Sequence, residues 1–299
     1  MSTTSMMNVL RNLKKEDQLI TSRLDLWLVR NPELVLTQDD LDLIKRLMEP
    51  RGSRVGTFTG SQAGTCERRQ MFNYIGLPQM GRVDPVLINR FMDGTWRHVR
   101  WMIILRKAIP GLKVEVRVDS QLFRGSFDLV HLRERWAGEI KGTLLFSKMI
   151  REGIFPAHEQ QAARYLLAAD EDNFPHLDKF TFFYEDKGRN NYREIVVNRD
   201  PKLEHYVESE LRRLKDAATE RELPPILSEC VRGRGEFFHE CPYSHVCLKL
   251  NTWREAEQCA KAPDSQGSPR KVAERKVRPT GVGVPKPVRK VAKRSGGRT

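Results

Sequence analysis

The sequence has no long apolar run. Across 299 residues the stretches of consecutive apolar side chains stay short, as in WMIIL at 101–105, whereas a membrane-spanning helix needs about 20. The N-terminus, MSTTSMMNVLRNLKKEDQ, lacks the sustained apolar segment of a secretion signal. A soluble, cytoplasmic protein is expected. No G-x-x-x-x-G-K-[ST] loop occurs, so the chain has no recognisable ATP motor of its own. Cysteine is sparse: five residues, unevenly spaced, argue against a disulfide framework and leave metal binding or plain burial.

What is abundant is positive charge, and it is concentrated. Residues 260–299 hold 12 of the 52 basic residues and 2 of the 39 acidic ones, a net of +10 against +3 for the rest. This tail is rich in Pro, Gly and Lys/Arg, repeats RKVA at 270 and 289, and is expected to be disordered. Its charge suits a polyanionic partner, since each phosphate neutralised releases counterions. Solvated charged tails are also common.

The remaining chain is long enough to bury a substantial core. Residues 1–50 form a helical extension, with Thr37 and Asp40 of TQDD placed as a capping box ahead of Leu41, Ile44 and Leu47. The main domain is expected over 51–259. A Gly/Ser-rich loop at 50–65 precedes a short helix, CERRQMFNYIG, closed by Gly76, and a longer helix runs over 85–108. KVEVRVD places Val114, Val116 and Val118 on one face of a strand. Two further strands of a hairpin follow, then a helix at 156–170, strands KFTFFYED and REIVVN, and a charged helix over about 201–222. This order predicts an α/β domain with a mixed central sheet flanked by helices.

The hairpin GSFDLVHLRERWAGEIKG at 125–142 raises a chemical question. With Arg133 and Glu134 at the turn, Leu132 faces Arg135, Val130 faces Ala137, and Asp128 faces Glu139. Directly opposed residues hold their Cβ atoms roughly 4.5–5.5 Å apart, and like charges there repel. Lys141 shares the face of Glu139, because side chains two apart on a strand project together. Two readings stay open: a solvated face neutralised by Arg124 and Lys141, or a site for a hard divalent cation, which takes oxygen ligands from one or two carboxylates.

Other polar residues cluster near this pair in sequence. Gln161 and Tyr165 lie four apart on one helix, with His158 a turn earlier on nearly the same stripe. His98 follows Gly94 in DGTWRH, and Glu115 lies on the first strand. Taken singly, each is ordinarily a surface or core residue.

The set GSFDLV with Asp128, GEIK with Glu139 and Lys141, QAARY with Gln161 and Tyr165, and GTWRH with His98 resembles the PD-(D/E)xK nucleases. Within them it is similar to the RecB-type exonucleases, including AddB-like nuclease domains and CRISPR-associated iron-sulfur exonucleases. The resemblance covers residues 58–250 and implies a restriction-endonuclease-like core that hydrolyses phosphodiester bonds of DNA. It implies that Asp128, Glu139, His98 and the Ile140 carbonyl hold Mg2+ or Mn2+. Lys141 would orient water or stabilise charge on the phosphate, Gln161 and Tyr165 would position DNA or the lysine, and Glu115 would be an additional metal or outer contact.

The same resemblance implies a C-terminal iron-sulfur segment in which Cys66, Cys230, Cys241 and Cys247 hold a [4Fe-4S] cluster. The family often has two residues where ten separate Cys230 from Cys241 here, so Cys259 competes with Cys230 for a place. Zinc is the rival metal, although no C-x2-4-C knuckle is present. Plain buried thiols remain a third possibility. The setting implied is DNA recombination, repair or phage DNA processing, in a nucleoid-associated or phage-encoded protein that acts on single-stranded or free-ended DNA. A homo-oligomer or a helicase partner would fit. The alternatives are a non-catalytic nucleic-acid-binding scaffold, or a zinc-stabilised DNA-binding regulator lacking a readable recognition helix.

Overall fold

A helical preface leads into the core. A computed structural model describes residues 18–49, 55–79, 85–121, 123–172, 174–232 and 241–261; the basic tail lies outside the described residues. Helix α1 (Thr21–Arg30) buries Ile20 and Leu24. Its first turn is held from a distance by Glu194, whose Oε2 accepts the Ile20 N–H at 2.6 Å and the Thr21 N–H at 3.2 Å. Helix α2 (Gln38–Met48) starts at the expected capping box, with Thr37 and Asp40 satisfying each other's backbone N–H. Buried Asp40 also pairs with Arg106 and Lys107, each at 2.6 Å, which fastens α2 to the helix that carries them.

That helix is α4 (Pro85–Ala108). Between α2 and α4 come a 3-10 turn at Gly60–Gln62 and helix α3 (Glu67–Ile75), which ends at Gly76 with φ of 83°. Glycine suits that left-handed cap because it has no Cβ to clash.

The sheet follows: β1 (Lys113–Asp119), β2 (Arg124–His131), β3 (Trp136–Thr143), β4 (Lys179–Asp186) and β5 (Tyr192–Asn198), in that spatial order. β1, β2 and β3 form an antiparallel meander, β4 runs parallel to β3, and β5 returns antiparallel. The parallel step requires a crossover, supplied by α5 (Phe146–Glu152) and α6 (Pro156–Glu171). The short helix α5 was not foreseen from the sequence. α4 covers one sheet face, packing Trp101, Met102 and Leu105 with Leu129, Trp136, Ile140 and Phe183. α6 and α7 (Pro201–Glu220) cover the other, where Ala162, Leu166 and Leu211 meet Val130, Ala137, Phe180 and Phe182. The expected mixed sheet flanked by helices is therefore present, its helices and strands in the order read from the sequence.

Beyond α7, α8 (Ser228–Val231), α9 (Ser244–Cys247) and α10 (Trp253–Lys261) complete the described chain. Tyr243 and Ala256 pack with Phe72 and Leu77, so the end of the domain returns to α3. Buried Arg68 joins the same regions by donating to the carbonyls of Pro224, at 2.5 Å, and Leu250. A second buried arginine, Arg164 on α6, donates to Glu210 on α7 (2.8 Å), Gln70 on α3 (3.0 Å) and the Thr59 carbonyl (3.2 Å).

Two local expectations need correction. The hairpin ladder closes at His131–Trp136; Leu132 and Arg135 belong to the turn, where the Arg135 N–H reaches the Leu132 carbonyl and Arg135 takes φ of 57°. In β1 the three valines do not share a face. Val116 and Val118 pack on the α6 side, while Val114 packs on the α4 side. Glu115 between them adopts φ of 50°, which breaks the two-residue alternation of an extended strand.

Candidate active site

The site grows from a break in the sheet. The β2–β3 register runs His131–Trp136, Val130–Ala137, Leu129–Gly138 and stops one pair short of Asp128 and Glu139. The strands part there, and the Asp128 Oδ2 accepts the Ile140 N–H at 2.8 Å. A carboxylate thus does the work of a ladder carbonyl, meeting the demand that a buried N–H be bonded. Asp128 and Glu139 are accordingly neighbours across a fork rather than directly bonded strand partners.

The same level is interrupted on the other side. β1 pairs with β2 at Val114–Leu129 and Val116–Phe127, which places Glu115 opposite Asp128 with no ladder pair between them. Three acids from three strands therefore stand in one row. Asp128 is buried, and its carboxyl is pushed well above the ordinary range, first by burial, then by the charge of Glu139, with Glu115 adding to it. The Ile140 N–H and the Lys141 amine oppose the shift without cancelling it.

Glu139 is 8% exposed. Its Oε1 accepts from Lys141 Nζ at 3.0 Å, and its Oε2 is buried with no hydrogen-bond partner. From α4, His98 Nδ1 stands 3.4 Å from Asp128 Oδ2. The structure thus brings Asp128, Glu139, Ile140, Lys141 and His98 together, with Glu115 alongside.

α6 brings its stripe in from the sheet face opposite α4, with unequal consequences. His158 shares a 2.6 Å hydrogen bond with the Tyr184 hydroxyl and stacks on Phe182. Burial and then the Lys141 amine bring its pKa down to about 4, opposed by Glu139, so its imidazole is neutral at pH 7. Gln161 is buried and its Nε2 has no partner. Tyr165 sits deeper, among Phe123, Phe127 and Phe180, where a side chain at Gly60 or Gly125 would strike its ring. Its visible role is packing, and it explains the glycine that opens GSFD.

A cleft of about 240 Å³ opens beside these groups, lined by Arg97, His98, Lys141, Glu185 and Lys187 among others. Glu185, at the end of β4, is buried and ion-paired with Arg97 (2.9 Å) and Arg100. Sequence reasoning missed Glu185, Arg97 and Lys187. The available signal was the position of KFTFFYED beside GEIK in the sheet, where Lys141 pairs with Tyr184 and Gly142 with Glu185.

The cysteines lie elsewhere. Cys66 precedes α3, Cys230 is in α8, and Cys241 and Cys247 flank and end α9. Burial, then the charges of Cys66, Glu229 and Cys241, raise the Cys230 thiol. Burial raises Cys247, with Arg68 opposing and Cys66 and Cys241 adding. Cys230 and Cys247 are therefore each within electrostatic reach of Cys66 and Cys241. Among the described residues, however, no group of three or more His, Cys, Asp or Glu side chains is gathered as a metal ion would hold it. No helix among them is long and apolar enough to cross a membrane.

Neither a protein-family model nor a curated protein matches the chain. Among solved structures it is similar to SSO0001, at 15% identity and a TM-score of 0.39, covering 71% of this chain and 96% of that one. It is also similar to an alkaline exonuclease, LHK-Exo from Laribacter hongkongensis, at 16% identity and a TM-score of 0.41, covering 56% of this chain and 90% of the exonuclease. The complex of LHK-Exo with dAMP matches with the same values.

Proposed function

We propose that the chain is a divalent-metal-dependent deoxyribonuclease of the PD-(D/E)xK type that acts as an exonuclease. The observation that carries the reading is the fork, where Asp128 bonds the Ile140 N–H and Glu139 keeps one oxygen buried and unpartnered beside Lys141.

The residues fit Mg2+ or Mn2+. Two buried acids repel each other, one orphaned carboxylate oxygen awaits a partner, and His98 stands against Asp128. A hard cation of this kind keeps several waters and takes one or two carboxylates, so a complete protein cage is not needed. Asp128, Glu139 and the Ile140 carbonyl would hold it, with His98 at the side. When bound, it supplies positive charge for the scissile phosphate and acidifies water.

The chain's own groups have separate tasks. Lys141 places a fixed ammonium where a phosphate gains negative charge, and Glu139 holds that ammonium in place. Arg97 and Lys187 line the cleft where neighbouring phosphates would lie. The neutral His158, bonded to Tyr184, walls the lysine side of the site, and Gln161, one turn further along α6, keeps a buried amide nitrogen without a partner.

For the thiols, Cys66, Cys230, Cys241 and Cys247 are the set we assign to a [4Fe-4S] cluster, with zinc as the alternative. The influence of Cys66 and Cys241 on Cys230 supports its place in the set. Such a group would clip α3 to the end of the domain, a long loop closure that Arg68 already reinforces. Iron, sulfide and zinc analysis with a visible spectrum of anaerobically purified protein decides between them.

The deciding experiment is cleavage of linear and circular, single- and double-stranded DNA with Mg2+, Mn2+ or EDTA. Metal-dependent degradation of linear DNA is expected, lost in Asp128→Ala and Lys141→Ala while DNA binding persists. Undiminished cleavage by both variants would exclude the site.

A further inference from the structure

α4 carries a stripe that the nuclease site does not use. Ile88, Phe91, Met92, Trp96, Val99 and Ile103 share one side of the helix by their spacing. The C-terminal part of the stripe is covered, Val99 and Ile103 packing with Leu43 of α2. The N-terminal part is not. Phe91 is 67% exposed, Met92 56% and Trp96 50%. Single exposed apolar residues need no explanation, but a contiguous patch with two aromatic rings does.

The patch borders the cleft at the fork. A groove of about 630 Å³ runs along it between Met48, Phe91 and Trp96, and reaches Gly94 and His98. Gly94 and His98 also line the smaller cleft that holds Arg97, Lys141 and Lys187. Phe91, Gly94 and His98 are spaced i, i+3, i+7, so one ridge of α4 leads from the first ring to the histidine beside Asp128. At 1.5 Å per residue the two ends are about 10 Å apart along the axis. No side chain at Gly94 obstructs the way.

A cation-lined cleft that runs into an exposed aromatic face has the composition of a single-stranded nucleic-acid track. Charge follows the backbone, and rings accept bases, because every base has a π-face. A protein partner would fit the apolar groove, but the adjoining cleft sets Arg97, Lys141 and Lys187 against the one lining acid Glu185, a net positive charge that suits a phosphate backbone. We propose that Phe91 and Trp96 form a base-stacking platform, on which unpaired bases next to the scissile phosphate lie while their backbone enters the cleft. The choice of ligand rests on the nuclease reading; the platform itself is a separate assignment.

The test uses the full-length protein in EDTA and a short oligothymidylate, with affinity followed by anisotropy across a salt series. Phe91→Ala and Trp96→Ala are each expected to weaken binding about tenfold, as loss of one stacking ring does, and Trp96→Phe to retain most of the affinity. The slope of log affinity against log salt should be unchanged, because stacking releases no counterions. Trp96→Leu, apolar but without a π-face, should behave as the alanine variant does. Equal affinity in wild type, Phe91→Ala and Trp96→Ala would overturn the proposal. So would full affinity in Trp96→Leu, or a change from oligomer to monomer by sedimentation in the alanine variants, which would make the face a contact between copies. Absence of cleavage by the wild-type protein with either metal would reject the nuclease assignment and leave this binding result standing.

Discussion

Asp128 and Ile140 meet where β2 and β3 separate, the carboxylate taking the backbone N–H at 2.8 Å. Asparagine keeps an acceptor oxygen for that N–H and removes the charge that Glu139 and Glu115 repel. Asp128→Asn is therefore expected to lose cleavage while gaining stability in EDTA. A gain of about 1 kcal/mol raises the melting midpoint of a chain of this size by about 2–4 °C. Mg2+ should raise the wild-type midpoint and leave that of the variant unchanged. Thermal melts with and without Mg2+ check this; a variant that melts below wild type in EDTA would show that the repulsion is not significant.

The parts of this site written in local pattern were legible in the sequence. The hairpin register follows from the alternation around a short turn, and pairs such as Val130–Ala137 occur as expected. Thr37 with Asp40 and the terminating Gly76 are local capping signals, and both ends formed there. What was not legible depends on long-range contact. Nothing in KVEV announces that Glu115 leaves the extended region and turns Val114 to the other face. Glu185 meets Arg97 across 88 positions, and Arg164, on a helix that reads as polar at its edge, is wholly buried through partners on two other helices.

That buried arginine yields a stability prediction. Arg164 has no water to fall back on if Glu210 is removed, and burial already works against its charge. Glu210→Ala should cost about 3–5 kcal/mol, the usual penalty for stranding one partner of a buried pair. Replacing both residues, as Arg164→Met with Glu210→Leu, should cost less than the single change. Urea denaturation of the three proteins measures it, and a double variant weaker than Glu210→Ala would contradict the assignment.

Glu194 makes the attachment of α1 depend on pH. Burial raises its pKa to about 7, against the opposing N–H groups of Ile20 and Thr21. The folded value lies above the unfolded one, so the protonated carboxyl's contribution is complete below about pH 4.5 and is lost as pH rises through 7. Relative to Glu194→Gln, which cannot ionise, wild type should lose about 3 kcal/mol between pH 4.5 and 8, at about 1.4 kcal/mol for every pH unit that separates the folded from the unfolded pKa. Denaturant midpoints of both proteins over this range give the difference, and parallel pH profiles would show that Glu194 is not the titrating group.

The basic segment over 260–299 makes a prediction opposite in kind to that for the aromatic platform. Its net of +10 can act on DNA only through phosphates, and each contact made adds about 0.7 to 0.9 to the slope of log affinity against log salt. Removing residues 260–299 should therefore weaken binding at low salt and flatten that slope by several units, while affinities at high salt converge with those of the full chain. Loss of Phe91 or Trp96 should shift the whole line down without tilting it. Combining the deletion with Trp96→Ala should give both effects additively, because a phosphate contact in the tail and a ring on α4 share no group. A deletion that leaves the slope unchanged would place the charge-dependent contacts in the cleft of Arg97, Lys141 and Lys187 instead of the tail.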